Sequence, residues 1–179
     1  MNDIVVVEGF DMVGKTHFMN TYSEFNNYSY YHPNYYTVDK VLGRDNAWTI
    51  GYGIFDMLSS LPASRLPSLL IDRGVLSSYV YGKMFNTELP EEVIMYYKDS
   101  NFYHELVDNI IVRHSSKKSA SKLYDLSKSR IVDNDISSKY DTYSSFEDYY
   151  SNYLRSMDLF REACDLMNIK PLYYDNSIK

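Results

Sequence analysis

The chain has 179 residues, 18 basic against 24 acidic for a net charge of −6, and a single cysteine. A chain of this length is expected to fold as one domain with its own core, and the acidic balance argues against broad electrostatic attachment to duplex nucleic acid or an anionic membrane. Cys164 has no partner for an internal disulfide and reads as a buried thiol in a reducing cytoplasm, while the lack of any apolar run of about 18 residues argues against a membrane span.

Ile4 to Val7 is a short β-branched run, as expected of a central parallel strand buried on both faces, and it marks the N-terminus as a strand, not a cleavable leader. Gly9-Phe10-Asp11-Met12-Val13-Gly14-Lys15-Thr16 follows at once, a full G-x-x-x-x-G-K-[ST] loop, and a helix is expected from about Lys15 to Phe25. Strand, loop and helix in this order make a nucleoside triphosphate cradle, because the glycines let backbone N–H groups converge on phosphate oxygens and the helix adds its dipole there. On this reading Gly9, Asp11, Met12, Val13, Gly14, Lys15, Thr16 and His17 form an ATP site. Lys15 reaches the β- and γ-phosphates and the Thr16 hydroxyl holds Mg²⁺.

Ser29 to Tyr31 reads as a second short strand ending at Pro33, and Asn46 to Leu61 shows helical spacing until Pro62 stops it. Ser68 to Ile71 is the next strand, with Asp72 and Arg73 immediately after it, where open parallel sheets bind ligands. Leu76 to Met84 is helical, and Pro90 opens a helix through Tyr97 whose first turn carries Glu91 and Glu92. Asn109 to Val112 is the fourth strand. Beyond it, Arg113 to Arg130 gathers Lys117, Lys118, Lys122, Lys128 and Arg130 among serines, before an acidic stretch from Asp133 to Asp141. Residues from about 115 to 141 are expected to form a mobile lid. Phe146 to Met167 fits a long amphipathic helix, and Pro171 to Tyr174 a closing strand. Five strands alternating with helices imply an α/β, three-layer fold, a parallel sheet flanked by helices in one domain over residues 1–179. The 20 tyrosines are expected to fill half-buried surface, ring inside and hydroxyl wet, more than to stack on bases.

Val7-Glu8-Gly9-Phe10-Asp11-Met12-Val13-Gly14-Lys15-Thr16 is similar to the E-G-x-D-x-x-G-K-[ST] loop of the thymidylate kinase family among the P-loop nucleoside monophosphate kinases. Ile71-Asp72-Arg73-Gly74-Val75-Leu76-Ser77-Ser78-Tyr79-Val80-Tyr81 likewise resembles that family's D-R-x-x-x-S-x-x-A-Y segment. The resemblance follows element order over nearly the whole chain, while specific motifs occupy these two stretches. It implies transfer of the ATP γ-phosphate, with Mg²⁺, to a small-molecule deoxynucleoside 5′-monophosphate, a pyrimidine one, thymidylate-like or modified. It also implies that Asp11 approaches the sugar, that Asp72 serves the metal and the reacting phosphates, that Arg73 grips the acceptor phosphate, and that Ser77 and Tyr81 lie beside the deoxyribose. Arg73 suits its role on chemistry alone, since its planar fork matches a phosphate bidentately. Some family members carry an arginine after the loop aspartate to stabilise the moving phosphoryl; with Met12 there, the resemblance implies delivery from the lid by Arg130, Lys128 or Lys122.

The departures concern the acceptor. His32-Pro33 is followed by Asn34-Tyr35-Tyr36 without the arginine usual in the family, leaving Arg44 as the nearest substitute, and Gly74 and Gly82 stand where relatives carry larger or polar side chains. Other readings share the scaffold. One is a deoxynucleoside kinase in which Glu8 or Asp72 takes the proton of a 5′-hydroxyl; another is a kinase of a nucleotide borne on DNA, which the net charge disfavours; the last is a non-catalytic nucleotide-binding paralogue. Homodimers are common in the family, but no interface stripe is legible here.

Overall fold

Five strands form one sheet: β1 (Ile4–Glu8), β2 (Ser29–Tyr31), β3 (Leu69–Asp72), β4 (Val107–His114) and β5 (Leu172–Asp175), in the order β2-β3-β1-β4-β5 with all pairings parallel. The helices between them are α1 (Lys15–Thr21), α2 (Thr49–Ser59), α3 (Val75–Phe85), α4 (Glu91–Asp99), α5 (Lys117–Asn134) and α6 (Phe146–Leu166). The structure, a computed structural model, describes residues 4–22, 25–32, 49–62, 66, 68–100, 103–104, 107–134 and 143–175.

The period of two along a strand decides which core each side chain joins. Val5 and Val7 point to the same side as Leu70 and Ile111 and are covered by Phe18 and Met19 of α1 together with Phe25. Ile4 and Val6 join Ile71, Ile110 and Val112 on the other side, under side chains from α2 to α6 such as Phe55, Val80, Tyr97, Tyr124 and Phe160. The three expected layers are present and unequal, for among the described residues one face is roofed by a single short helix and the other by five. Phe160 is fully buried in the thicker layer, where truncation to alanine costs about 3–5 kcal/mol.

Tyrosine is used more deeply than its expected half-buried role. Tyr97, Tyr103 and Tyr149 rank among the largest fully buried side chains, and Tyr103 meets the rings of Tyr97 and Phe55 edge-on at 4.7 and 4.9 Å. Cys164 is buried as expected, and burial pushes its thiol up to about 12. The long final helix is fixed at its start by its N-cap: the Asp148 N–H donates to the Ser145 hydroxyl, and the Asp148 carboxylate accepts in return from the N–H of Ser144, one residue before the cap. Among the described residues, no helix is long and apolar enough to cross a membrane.

Element ends differ from expectation by a few residues. The first helix ends at Thr21 because Tyr22 is already extended. The fourth strand runs on through Arg113 and His114, which pair with Tyr174 and Asp175 of β5. Of the segment expected to be a lid, residues 117–134 form α5, with Ala120 and Tyr124 buried against the core; residues 135–142 lie outside the described residues.

After β1 the chain builds β2 and β3 on one side of it and then β4 and β5 on the other. The carboxyl end of β1 is therefore the topological switch point, where such sheets open a crevice. Register sets Val7 beside Asp72 and Glu8 beside Val112, so three strand ends converge there.

Candidate active site

The loop leaving β1 owes its shape to three left-handed turns. Gly9 has φ 136, and a Cβ there would stand 2.8 Å from the Arg113 carbonyl oxygen, so only glycine lets the loop pass the end of β4. Met12 (φ 60) and Gly14 (φ 76) then fold the chain back to start α1, whose N-terminus carries no side-chain cap. Phe10 and Val13 are fully buried pegs beneath the loop. The Phe10 ring lies 5.9 to 6.4 Å from those of Tyr81, Tyr143, Tyr149 and Tyr153, and the Tyr149 hydroxyl donates to the Asp11 carbonyl at 2.9 Å. Helix α6 thus holds the loop from below.

Lys15 folds inward. It is 7% exposed, and its Nζ donates to the Phe10 carbonyl at 2.8 Å. Burial, and then the neighbouring Arg73, push its ammonium down to about 7 against the pull of Asp11, Asp72 and Glu8. Thr16 and His17 are exposed on the first turn of α1, and Asp11 and Met12 are half-buried on the loop.

Arg73 crosses from β3 to the loop. Its backbone N–H donates to Val7 O at 3.0 Å, after which φ 74 swings the side chain over β1. Nη1 donates to the Gly9 carbonyl and to the Tyr81 hydroxyl, both at 3.1 Å, and Nη2 to Asp11 Oδ1 at 2.5 Å. The guanidinium also stands 4.9 Å from the centre of the Tyr81 ring, which is itself stacked between Phe10 and Phe85. A left-handed non-glycine residue costs about 1–3 kcal/mol, and these contacts offset it. The structure brings Asp11, Arg73 and Tyr81 together as one cluster with Gly9.

Two buried carboxylates flank this cluster. Glu8 is 1% exposed; its Oε1 accepts from the N–H groups of Gly74 (2.9 Å) and Leu76 (3.2 Å), and its Oε2 from the N–H (3.1 Å) and hydroxyl of Ser77. It caps α3 from another strand. Burial raises its pKa, opposed by the Ser77 hydroxyl and Arg73. Asp72 is 3% exposed, and its Oδ2 accepts from the Tyr30 hydroxyl at 3.1 Å and faces His32 Nδ1 at 3.0 Å. Its Oδ1 is buried with no hydrogen-bond partner among the described residues. An orphaned buried acceptor at a strand end calls for an explanation.

Several sequence expectations land differently. Ser77, expected beside the sugar, is 2% exposed and held by Glu8, so it supports the floor of the crevice and does not line it. Gly74 is small because a Cβ would meet Val6 at 2.9 Å and Glu8 at 3.0 Å. At Gly82 a Cβ would stand 2.5 Å from the Thr87 carbonyl oxygen, so the chain reversal after α3 leaves no space for a side chain at this position. Lys122 and Lys128 are exposed on α5, Lys128 with its Nζ 4.9 Å from the Tyr124 ring centre; Arg130 is carried on the same helix with its side chain outside the described residues, as is the whole of Arg44.

Three residues of the site were missed from sequence. Tyr30 on β2 and His32 just past its end are two residues apart and reach the same carboxylate, and the alternation of an extended segment was the available signal. Arg113 is a 5% exposed cation whose guanidinium lies 4.4 Å over the Phe18 ring, beside Gly9. It is an arginine closing a β-branched run, a pattern that marks a buried charge at a strand end. A cleft of about 480 Å³ also opens between β5 and α6, lined by His114, Ser115, Tyr150, Tyr173 and Arg161, with Tyr153 shared between its wall and the Phe10 cluster.

No protein-family model matches the sequence, and no curated protein matches it. Among solved structures the chain is similar to the YorR protein of Bacillus subtilis in complex with phosphorylated GDP, at 16% identity over 96% of this chain and 85% of that one, with a TM-score of 0.61. It is also similar to deoxyadenosine kinase of M. mycoides with bound dCTP, at 14% identity over 98% of this chain and 92% of that one, with a TM-score of 0.52. At these identities the likeness is one of fold alone, a five-stranded parallel α/β sheet flanked by helices.

Proposed function

We propose that this chain is an ATP-dependent nucleotide kinase that phosphorylates a deoxynucleoside 5′-monophosphate, with a thymidylate-like or modified pyrimidine nucleotide as the favoured acceptor. The observation that carries this reading is the reach of Arg73 from the end of β3 to the phosphate loop, within 3.1 Å of Gly9 O and the Tyr81 hydroxyl. One cation thereby stands between the donor loop and the ring that would flank the acceptor sugar. An acceptor phosphate competes with Asp11 for the guanidinium edge, and the bidentate fit favours the phosphate.

In this reading Lys15 exchanges the Phe10 carbonyl for the β- and γ-phosphates, whose negative charge favours its ammonium form. An acceptor phosphate oxygen attacks the γ-phosphorus, the bond from that phosphorus to the β–γ bridging oxygen breaks, and ADP leaves; no covalent enzyme intermediate is required. The orphaned Asp72 Oδ1 and the exposed Thr16 hydroxyl fit Mg²⁺, a hard cation that takes oxygen ligands and retains water. When bound, Mg²⁺ supplies charge neutralisation across the β- and γ-phosphates. The chain's own share is positioning and fixed charge: Lys15 from the start of α1, Arg73 from the end of β3, and Lys122, Lys128 or Arg130 from α5. The bound phosphorylated GDP of YorR supports a nucleotide substrate here as well, whereas the acceptor in the name of the M. mycoides enzyme, deoxyadenosine, is a nucleoside and speaks for the second reading below.

A second reading, a deoxynucleoside kinase, is favoured by one observation: the Asp72–His32 pair is of the kind that can take a proton from a 5′-hydroxyl. A coupled ADP-release assay over deoxynucleosides and their monophosphates separates the two. Turnover on pyrimidine monophosphates is expected; turnover on nucleosides alone moves the assignment to the second reading, and ATP binding without turnover on any acceptor removes both.

A further inference from the structure

Asp72 is held on one side only. Tyr30 of β2 and His32, just past the end of that strand, both address its Oδ2, at 3.1 and 3.0 Å, and their rings are stacked parallel within 1° at 6.4 Å. With both donors on one oxygen, the carboxylate cannot rotate about its Cβ–Cγ bond without breaking two contacts, and Oδ1 is left buried and, among the described residues, without a partner. β2 pairs with β3 through Tyr31 and Ile71, so the clamp arrives from the neighbouring strand in fixed register. At Nδ1 a neutral imidazole can satisfy the carboxylate only in its Nδ1–H form, so the contact also fixes the ring's tautomer and orientation.

Nothing in the packing requires this arrangement. Tyr30 is 48% exposed, and the His32 side chain is 49% exposed. Two half-exposed donors converging on one buried oxygen do little for the core; they determine which way a carboxylate faces. We infer that Tyr30 and His32 are positioning residues that turn the single free oxygen of Asp72 toward the divalent cation of the phosphate site, an inference that rests on the kinase reading. Outer hydrogen bonds of this kind orient metal-binding carboxylates, and their loss weakens metal affinity by about 10–100-fold.

The test uses Mn²⁺ as a paramagnetic stand-in, titrated into the full chain with ADP and followed by electron paramagnetic resonance, beside calorimetry of ADP alone in chelator. Combining Tyr30→Phe with His32→Ala is expected to weaken Mn²⁺ binding to the ADP complex by about tenfold, approaching Asp72→Asn, with metal-free ADP affinity unchanged within about twofold. His32→Asn, whose amide nitrogen occupies the place of Nδ1, should recover most of the loss. If the double variant fails to fold, Tyr30→Phe alone, which removes one hydroxyl from an exposed edge position, must still weaken Mn²⁺ measurably. Wild-type Mn²⁺ affinity in the variants, or a parallel loss of metal-free ADP binding, overturns the positioning role. Absence of Mn²⁺–ADP binding in the wild type would instead overturn the kinase reading on which it stands.

Discussion

Glu8 and Asp72 are both buried acids at adjacent strand ends, yet they are furnished in opposite ways. Each Glu8 oxygen accepts from two donors, three of the four being backbone N–H groups of one helix start and its approach. Among the described residues, Asp72 concentrates its donors on one oxygen and leaves the other without a partner. A fully satisfied buried carboxylate is a fastener, because any change leaves backbone donors stranded. A half-satisfied one retains capacity for something that arrives. The contrast shows that burial alone does not identify a working acid; the distribution of partners over its two oxygens does.

The sharpest way to break this comparison is by stability. Glu8→Ala strands the N–H groups of Gly74, Leu76 and Ser77 and should destabilise the fold by about 3–5 kcal/mol, lowering Tm by roughly 6–20 °C. Asp72→Asn should cost less than about 1 kcal/mol in the same thermal melt, because its partners are half-exposed. Equal losses at the two sites would erase the distinction. Next in size, Lys15→Ala should retain a wild-type melt within a few degrees while phosphoryl transfer falls on the order of 10²–10³-fold, as for loss of one charged transition-state donor. Retained turnover would show that the loop is not the donor site. For Arg73→Lys, which keeps the charge and loses the fork, the expected change is about a 10–100-fold fall in kcat/KM for the acceptor with ATP binding intact; a defect confined to ATP would assign Arg73 to the donor side.

The smallest effect is one of pH. The Lys15 value in the folded chain, about 7, lies below its ordinary 10.5, so between these limits the folded protein holds fewer protons than the unfolded. The stability penalty from this group is therefore full below about pH 7 and relieved as pH rises toward 10.5. A polyphosphate acts in the opposite sense, since it binds the protonated ammonium. ADP affinity should fall by up to about tenfold per pH unit above 7, with a proton taken up on binding. Calorimetry near pH 8 in two buffers of different ionisation heat counts that proton, and a count of zero would refute the assignment.

The donor side was legible in the sequence because its chemistry is contiguous: strand, glycines, lysine and helix follow one another from Ile4 onward, and local backbone rules suffice to interpret them. The pattern of five parallel strands was legible for the same reason, each apolar run being short and bounded. What the sequence concealed depends on contacts between distant segments. Ser77 looked like part of a cavity wall until Glu8, 69 residues away, was seen to claim its hydroxyl. Gly74 and Gly82 stood out only as departures from the family pattern, and it is Glu8 and the Thr87 carbonyl, both brought in by the fold, that leave no space for a side chain at either. Tyr30 carried no motif and His32 entered only beside Pro33 as a departure from the family pattern; the register of β2 against β3 is what makes them neighbours of Asp72.

Phe10 sits at the hub of a ring of tyrosines that includes Tyr149, whose hydroxyl grips the backbone of the same loop. Any rearrangement of the loop as a nucleotide enters must disturb the asymmetric surroundings of several phenol chromophores at once. The near-ultraviolet circular dichroism of the unlabelled protein should therefore serve as a built-in optical gauge of occupancy, one that Phe10→Leu would mute while leaving the phosphate-binding backbone in place.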